Sequence, residues 1–106
     1  MSKRNDKDYL SDIQEAIIKV QQYVEGYDFK RFLEDSKTQD AVVRNLEVIG
    51  EASKKVSAPL KMNYLDVPWK DLAGIRDRLV HHYFGINYEE ELPEVLAQIR
   101  AILKNG

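Results

Sequence analysis

The sequence predicts an all-α fold, an antiparallel bundle of four main helices with one additional short helical turn. Apolar residues recur every three or four positions in four long segments, and no segment shows the apolar–polar alternation of a half-buried strand. The chain of 106 residues has no repeat and no Pro- or Gly-rich linker, so we predict a single domain over residues 1–106 with short loops. Residues 1–6 are expected to be frayed.

The first half of the chain is predicted to form two long helices and the short turn. The first helix covers residues 9–25, and residues 28–36 form the turn. The second long helix covers residues 39–56, with Thr38 and Asp40 as candidate N-caps. The side chains expected to face the core are Leu10, Ile13, Ile17, Val20 and Val24 in the first helix and Val42, Leu46, Ile49, Ser53 and Val56 in the second.

A third long helix is predicted over residues 68–83. Pro59 is expected before it, in a connector that runs to about Asp66. Pro68 suits the first helical turn, because its missing N–H is not needed there. Trp69 is expected to anchor this helix in the core, together with Leu72, Ile75 and Leu79.

The start of the last helix has two possible positions. Asn87 and Glu90 have the spacing of a capping box, but a helix beginning there would contain Pro93 and lose a hydrogen bond. A start near Leu92 is the alternative. The apolar face of this helix consists of Val95, Leu96, Ile99, Ile102 and Leu103.

Composition excludes several functional classes. The chain has no cysteine, which excludes disulfides and thiolate metal sites, and its apolar runs are too short for a transmembrane helix or a signal peptide. We therefore expect a cytoplasmic protein with no membrane partner. The net charge of −2 argues against general nucleic-acid binding, which normally needs a basic bias, but it allows a local pocket for one phosphate.

The segment RDRLVHHYFG, residues 76–85, concentrates the groups that suit catalysis. With about 100° of rotation per residue, Arg76 and Tyr83 lie on nearly the same helix face, and Asp77 neighbours His81 and can orient its imidazole. Arg76 and His81 differ by about 140°. They can share a site only if the helix is distorted near His81 or if a second chain completes the site.

These side chains suit phosphodiester cleavage without a metal. The guanidinium of Arg76 can hold a phosphate, and the imidazole of His81 can take a proton from a ribose 2′-OH or deliver one to the leaving oxygen. Tyr83 can bond to a base or stack on it. Adjacent histidines point about 100° apart on a helix, unlike the paired ligands of a zinc site, so we expect no metal.

The same segment has simpler interpretations. An Arg-Asp-x-x-x-His set on a helix is often a solvated face, and Arg78 with His82 fits that description. Tyr83 could be a packing aromatic. Arg44 and Glu51, seven apart on the second long helix, are expected to form structural ion pairs with a neighbouring helix.

Three segments together resemble the HepT-like branch of the HEPN domains: QDAVVRNLEVIGEASKKV, VPWKDLAGI and RDRLVHHYFG. The resemblance extends from about Tyr9 to the C-terminus. The family signature is an arginine, four residues, a histidine, one residue and a tyrosine. Here it falls on Arg76, His81 and Tyr83, with Asp77 as the polar residue after the arginine.

The resemblance implies an all-α homodimer that acts as a metal-independent ribonuclease, the toxin of a type VII-like HEPN/MNT toxin–antitoxin system. Arg76 and His81 of two subunits would form the catalytic site, Asp77 would support them, and RNA cleavage would leave a cyclic phosphate. The implied antitoxin is a minimal nucleotidyltransferase of the MntA type. It would transfer AMP from ATP to Tyr83, so ATP and Mg²⁺ are expected only for that partner and no cofactor for this chain.

One departure from the family pattern keeps a second function open. The segment INYEEELPEV is several residues shorter than is usual in the family, which affects the expected dimer surface. The shortened segment and the negative net charge together favour an alternative function. In this alternative the chain is a weakly active or inactive helical module that binds a nucleotidyltransferase and is modified by it. A plain helical dimer with a solvated charged end is the third possibility. The acidic run at residues 89–91 is expected to face away from any RNA cleft.

Overall fold

The computed structural model describes residues 3–75 and 88–105, which form six helices and no strand. In chain order they are α1 (Asp6–Tyr23), α2 (Phe29–Glu34), α3 (Ser36–Lys55), α4 (Ala58–Asn63), α5 (Trp69–Ala73) and α6 (Tyr88–Asn105). The all-α prediction is confirmed. None of the described helices combines the length and the apolar character that a membrane crossing requires.

α1 begins earlier than the periodicity predicts. Asn5 is its N-cap: the Asn5 side chain accepts a hydrogen bond from the Asp8 amide at 3.0 Å, and the Asp8 carboxylate accepts one from the Asn5 amide at 3.0 Å. This reciprocal capping box stabilises the first turn. The structure thus places Asp6 in α1 and Asn5 at its cap, and the fraying of residues 1–6 stays a prediction.

α3 also has a different cap from the two predicted. The Asp35 carboxylate accepts a hydrogen bond from the Thr38 amide at 3.0 Å, so α3 begins at Ser36. Thr38 and Asp40 lie inside the helix. The predicted short turn is confirmed as α2, which begins after Asp28.

The predicted connector around Pro59 is a short helix, α4. Ser57 is its N-cap, and Pro59 lies in the first turn, where no intrahelical N–H is required. The same serine joins two helices, because the Asp6 carboxylate accepts hydrogen bonds from the Ser57 amide at 2.8 Å and from the Ser57 hydroxyl at 2.5 Å. The start of α1 thus lies against the end of α3, and the two helices run antiparallel.

The core is one cluster between α1, α3, α5 and α6. α1 packs against α3 and α6, while α3 also packs against α2 and α5. The described members of the expected stripes are buried as predicted, apart from the half-buried Val24 and Leu103, and Leu79 lies outside the described residues. The most deeply buried side chains are Ile13, Ile17, Leu46, Ile49, Ser53, Leu92 and Ile99.

α6 begins at Tyr88, before both its acidic run and Pro93. Proline has no amide hydrogen, so the Glu89 carbonyl receives no bond from position 93. The helix tolerates this loss because Pro93 is exposed on its first turns while Leu92 and Val95 are buried beside it. The alternative start near Leu92 is wrong, and Asn87 lies outside the described residues.

Candidate functional site

The predicted site residues Arg76, Asp77, His81 and Tyr83 all lie in residues 76–87, outside the described part of the chain. Their predicted roles therefore stay predictions. The structure does describe the residues that lead into this segment and those that follow it. These flanking residues determine where the chain enters and leaves the site.

The chain reaches Arg76 through α5, which is only five residues long. Trp69 anchors this helix as predicted: it is 9% exposed, and its Nε1 donates a hydrogen bond to the Tyr64 carbonyl at 3.0 Å. Leu72 and Ile75 are each 3% exposed. Three buried side chains therefore hold the backbone against the core directly before Arg76.

The predicted helix over residues 68–83 is interrupted before it reaches the site. α5 ends at Ala73, and Gly74 is its C-cap with φ −101° and ψ 11°. Pro68 is the N-cap rather than the first helical residue, and it provides no side-chain hydrogen bond. Glycine is a poor helix former because its backbone entropy is high. The described chain therefore does not form one uninterrupted helix from Pro68 to Ile75.

Gly50 lies where α3 meets the end of α5. A Cβ atom built on Gly50 would lie 3.2 Å from the Ala73 carbonyl oxygen and 3.5 Å from the Leu72 carbonyl oxygen. The two backbones are therefore packed directly against each other. Gly50 is not among the residues predicted from the sequence. A glycine in the middle of a 20-residue helix is a usable signal, because the helix loses about 1 kcal/mol relative to alanine.

The other end of the segment joins α6. Leu92 is 2% exposed and Val95 is 4% exposed, so the first turns of α6 are fixed in the core. Residues 76–87 are thus flanked by buried anchors on both sides, Ile75 before and Leu92 after. The side chains of the acidic run at residues 89–91 lie outside the description, and their expected direction stays a prediction.

The outer face of α3 carries charged side chains that bond within their own helix. Arg44 lies 4.0 Å from Glu47, and Lys54 lies 3.4 Å from Glu51. Within the described residues, Arg44 and Glu51 pair along α3 and not with a neighbouring helix, so the predicted interhelical ion pairs are not found there. Exposed pairs of this kind contribute little to stability.

The junction of α2 and α3 holds the one carboxyl group with a resolved pKa shift among the described residues. A hydrogen bond from the Tyr27 hydroxyl to Asp35, at 2.6 Å, and bonds from the amide and hydroxyl of Thr38 lower the pKa of Asp35 to about 2. This group caps α3 and is structural. Within residues 3–75 and 88–105, no cluster of three acidic or histidine side chains could hold a metal ion.

Comparison with known proteins identifies the family. The family model described as ribonuclease HepT-like matches residues 13–104, a range that includes the whole site segment. The chain belongs to the ribonuclease HepT-like family. This confirms the resemblance inferred from the sequence motifs.

Curated relatives of the HepT-like chain match it over nearly its full length. A candidate RNase of Methanocaldococcus jannaschii is 41% identical over 112 residues, which cover 99% of this chain and 93% of that protein. A candidate ribonuclease HepT of Thermococcus cleftensis is 39% identical over 109 residues, covering 96% and 99%. A candidate RNase of Caldanaerobacter subterraneus subsp. tengcongensis is 38% identical over 103 residues, covering 91% and 92%. No solved structure matched the chain.

Proposed function

We propose that this HepT-like chain is a metal-independent endoribonuclease and the toxin of a HEPN/MNT toxin–antitoxin pair. The observation that carries the proposal is the spacing of Arg76, His81 and Tyr83 within a chain whose family and near full-length relatives carry ribonuclease names.

The reaction requires one phosphate-binding group and one proton-transfer group. The ribose 2′-OH attacks the adjacent phosphorus, forming a P–O2′ bond and breaking the P–O5′ bond. A 2′,3′-cyclic phosphate and a free 5′-OH result. Arg76 would neutralise the phosphate, and His81 would carry the proton from the 2′-OH or to the leaving oxygen. Asp77, four residues before His81 and so its neighbour on a helix face, would orient the imidazole.

We propose that a homodimer completes the site. The buried anchors Ile75 and Leu92 fix both ends of residues 76–87, and α5 already ends at Ala73. On a regular helix Arg76 and His81 diverge by about 140°, so one copy of the motif does not bring both groups onto one phosphate. Two copies facing each other would supply the arginine and the histidine from different subunits.

Tyr83 would be the point of regulation. The proposed antitoxin is a minimal nucleotidyltransferase that brings its own ATP and Mg²⁺. The Tyr83 hydroxyl would attack the α-phosphorus of ATP, so that an O–P bond forms, pyrophosphate leaves and AMP stays on the tyrosine. The added phosphate would place negative charge near Arg76 and repel RNA.

Cleavage of RNA in the presence of EDTA tests the nuclease. The variants Arg76→Ala and His81→Ala should each lose at least about 100-fold in rate, since they remove phosphate binding or proton transfer. Arg78→Ala and His82→Ala are matched controls of the same residue types in the same segment and should cleave like the wild type. Equal cleavage by all four variants would exclude the proposed site. Full loss of activity with EDTA would exclude a metal-independent reaction.

The regulatory step needs its own measurement. Incubating the chain with a nucleotidyltransferase of the MntA type, ATP and Mg²⁺ should add AMP to the wild type but not to Tyr83→Phe, as read by mass spectrometry. Modified protein should no longer cleave RNA. If unmodified protein never cleaves RNA yet accepts AMP, the chain is the alternative binding module instead, which its net charge of −2 favours.

A further inference from the structure

We infer that Gly50 of α3 is a positioning residue that sets where the backbone enters the Arg76–His81 segment. Its missing side chain lets the end of α5 rest directly on α3. The inference rests on the proposed function for its activity readout, but the position of the backbone can be measured independently.

The contact joins backbone to backbone. A Cβ on Gly50 would lie 3.2 Å from the Ala73 carbonyl oxygen, a distance at which one of the two helices must shift by a few tenths of an ångström. The neighbour is a main-chain carbonyl, so a side-chain rotation cannot relieve the crowding. α3 has 20 residues and α5 has five, so α5 is the element that moves.

A displacement of α5 would reach Arg76 directly. Ala73 lies three residues before Arg76, and between them only Gly74 and the buried Ile75 are available to absorb the shift. Catalytic rates depend steeply on placement: a displacement of about 1 Å can cost about 100-fold in rate. A shift of a few tenths of an ångström should therefore reduce the rate by a smaller but measurable factor.

The substitution Gly50→Ala separates positioning from stability. Alanine is a better helix former than glycine, so the propensity of α3 improves while the junction with α5 is crowded. The variant should fold with a melting temperature close to that of the wild type. Its kcat for RNA cleavage should fall by about 3- to 10-fold with little change in KM, because misplacement acts on the chemical step.

Gly74→Ala is the matched control. Gly74 is only two residues from Arg76 in sequence, yet an added Cβ there has ordinary contact, 3.8 Å from the Lys70 carbonyl oxygen, and its φ of −101° suits alanine. This variant should keep at least about half of the wild-type kcat. A kcat in Gly50→Ala equal to that of the wild type overturns the inference. An equal loss in Gly74→Ala does so too, because any added methyl group would then be harmful.

Backbone NMR gives a readout that needs no activity. The indole N–H of Trp69, the only tryptophan, and the Ile75 amide should both shift in Gly50→Ala. They should stay in place in Gly26→Ala, where the strain of a φ of 76° falls on the turn after α1 and no atom lies within 4 Å of the added Cβ. Unmoved resonances in Gly50→Ala contradict the inference even if the wild type proves inactive. An inactive wild type with shifted resonances contradicts the proposed function and leaves the positioning role supported.

Discussion

α3 meets its two short neighbours, α2 and α5, in different ways. At α2 the junction consists of side-chain hydrogen bonds: Asp35 accepts from the Tyr27 hydroxyl and from Thr38, and the Gln39 amide donates to the Phe32 and Leu33 carbonyls at 2.8 and 2.9 Å. At α5 the junction is a close fit between Gly50 and the backbone of Leu72 and Ala73.

The difference follows from what each junction must do. Polar bonds at α2 satisfy the helix-end groups that would otherwise lose water, and long side chains can adjust to small displacements. The α5 junction instead brings Gly50 close to the Leu72 and Ala73 carbonyls. It depends on shape, and the residues it holds lead directly into the proposed site. We therefore expect small volume changes to have functional consequences at α5, which leads into the proposed site.

The largest effect on stability should come from removing Trp69, the side chain that anchors α5 at its junction with α3. Trp69→Ala should lower the free energy of unfolding by about 3–5 kcal/mol, because it empties a buried aromatic site in the core. Urea unfolding followed by circular dichroism measures this change. Trp69→Phe is the control that keeps most of the ring volume but loses the hydrogen bond to Tyr64, and it should cost clearly less. If the urea midpoint of Trp69→Ala equals that of the wild type, α5 does not depend on Trp69 as its anchor.

A smaller effect, dependent on pH, is expected at the polar junction. The folded pKa of Asp35 is lowered to about 2 from an ordinary 3.8. Its charged form therefore contributes stability above pH 3.8, and that contribution is lost as the pH falls from 3.8 through about 2. Asp35→Asn should be less stable than the wild type at neutral pH, and the difference should shrink towards pH 2.

Acid unfolding curves of both proteins check this expectation. Tyr27→Phe removes the largest cause of the lowered pKa, so in that variant the Asp35 contribution should be lost at a higher pH than in the wild type. If the stability difference between Asp35→Asn and the wild type does not change with pH, the charge of Asp35 does not stabilise the fold. Its role would then be limited to capping α3.

The smallest effect is expected at Ser53. Its side chain is fully buried, and its hydroxyl has no hydrogen-bond partner among the described residues. Ser53→Ala should raise the free energy of unfolding by at most about 1 kcal/mol, because the substitution removes an unpaired buried hydroxyl. Ser57→Ala is the matched control: that hydroxyl bonds to Asp6 and caps α4, so its loss should cost about 1 kcal/mol. Thermal unfolding distinguishes the two, and a destabilised Ser53→Ala would contradict the prediction.

Local patterns predicted most of the helices and failed at several boundaries. The period of the apolar residues identified the core faces of α1, α3 and α6 because burial alone determines them. The cap of α3 was missed because Asp35, Thr38 and Asp40 are all acceptable cap residues. The bond from Tyr27, eight residues away, favours Asp35. The helix at Pro59 was missed although Ser57 followed by a proline in the first turn is a recognised start.

The sequence by itself determined the helical class, the buried stripes and, through the order and spacing of its motifs, the family. Those features depend on neighbours within one or two helical turns or on the identity of residues along the chain. The tertiary structure decided that α5 ends at Ala73, that Gly50 lies against that end, and that Ile75 and Leu92 anchor the two ends of the site segment. The contact of Gly50 with Ala73 joins residues 23 positions apart, and a glycine in the middle of a helix signals a close approach without identifying the backbone that it meets.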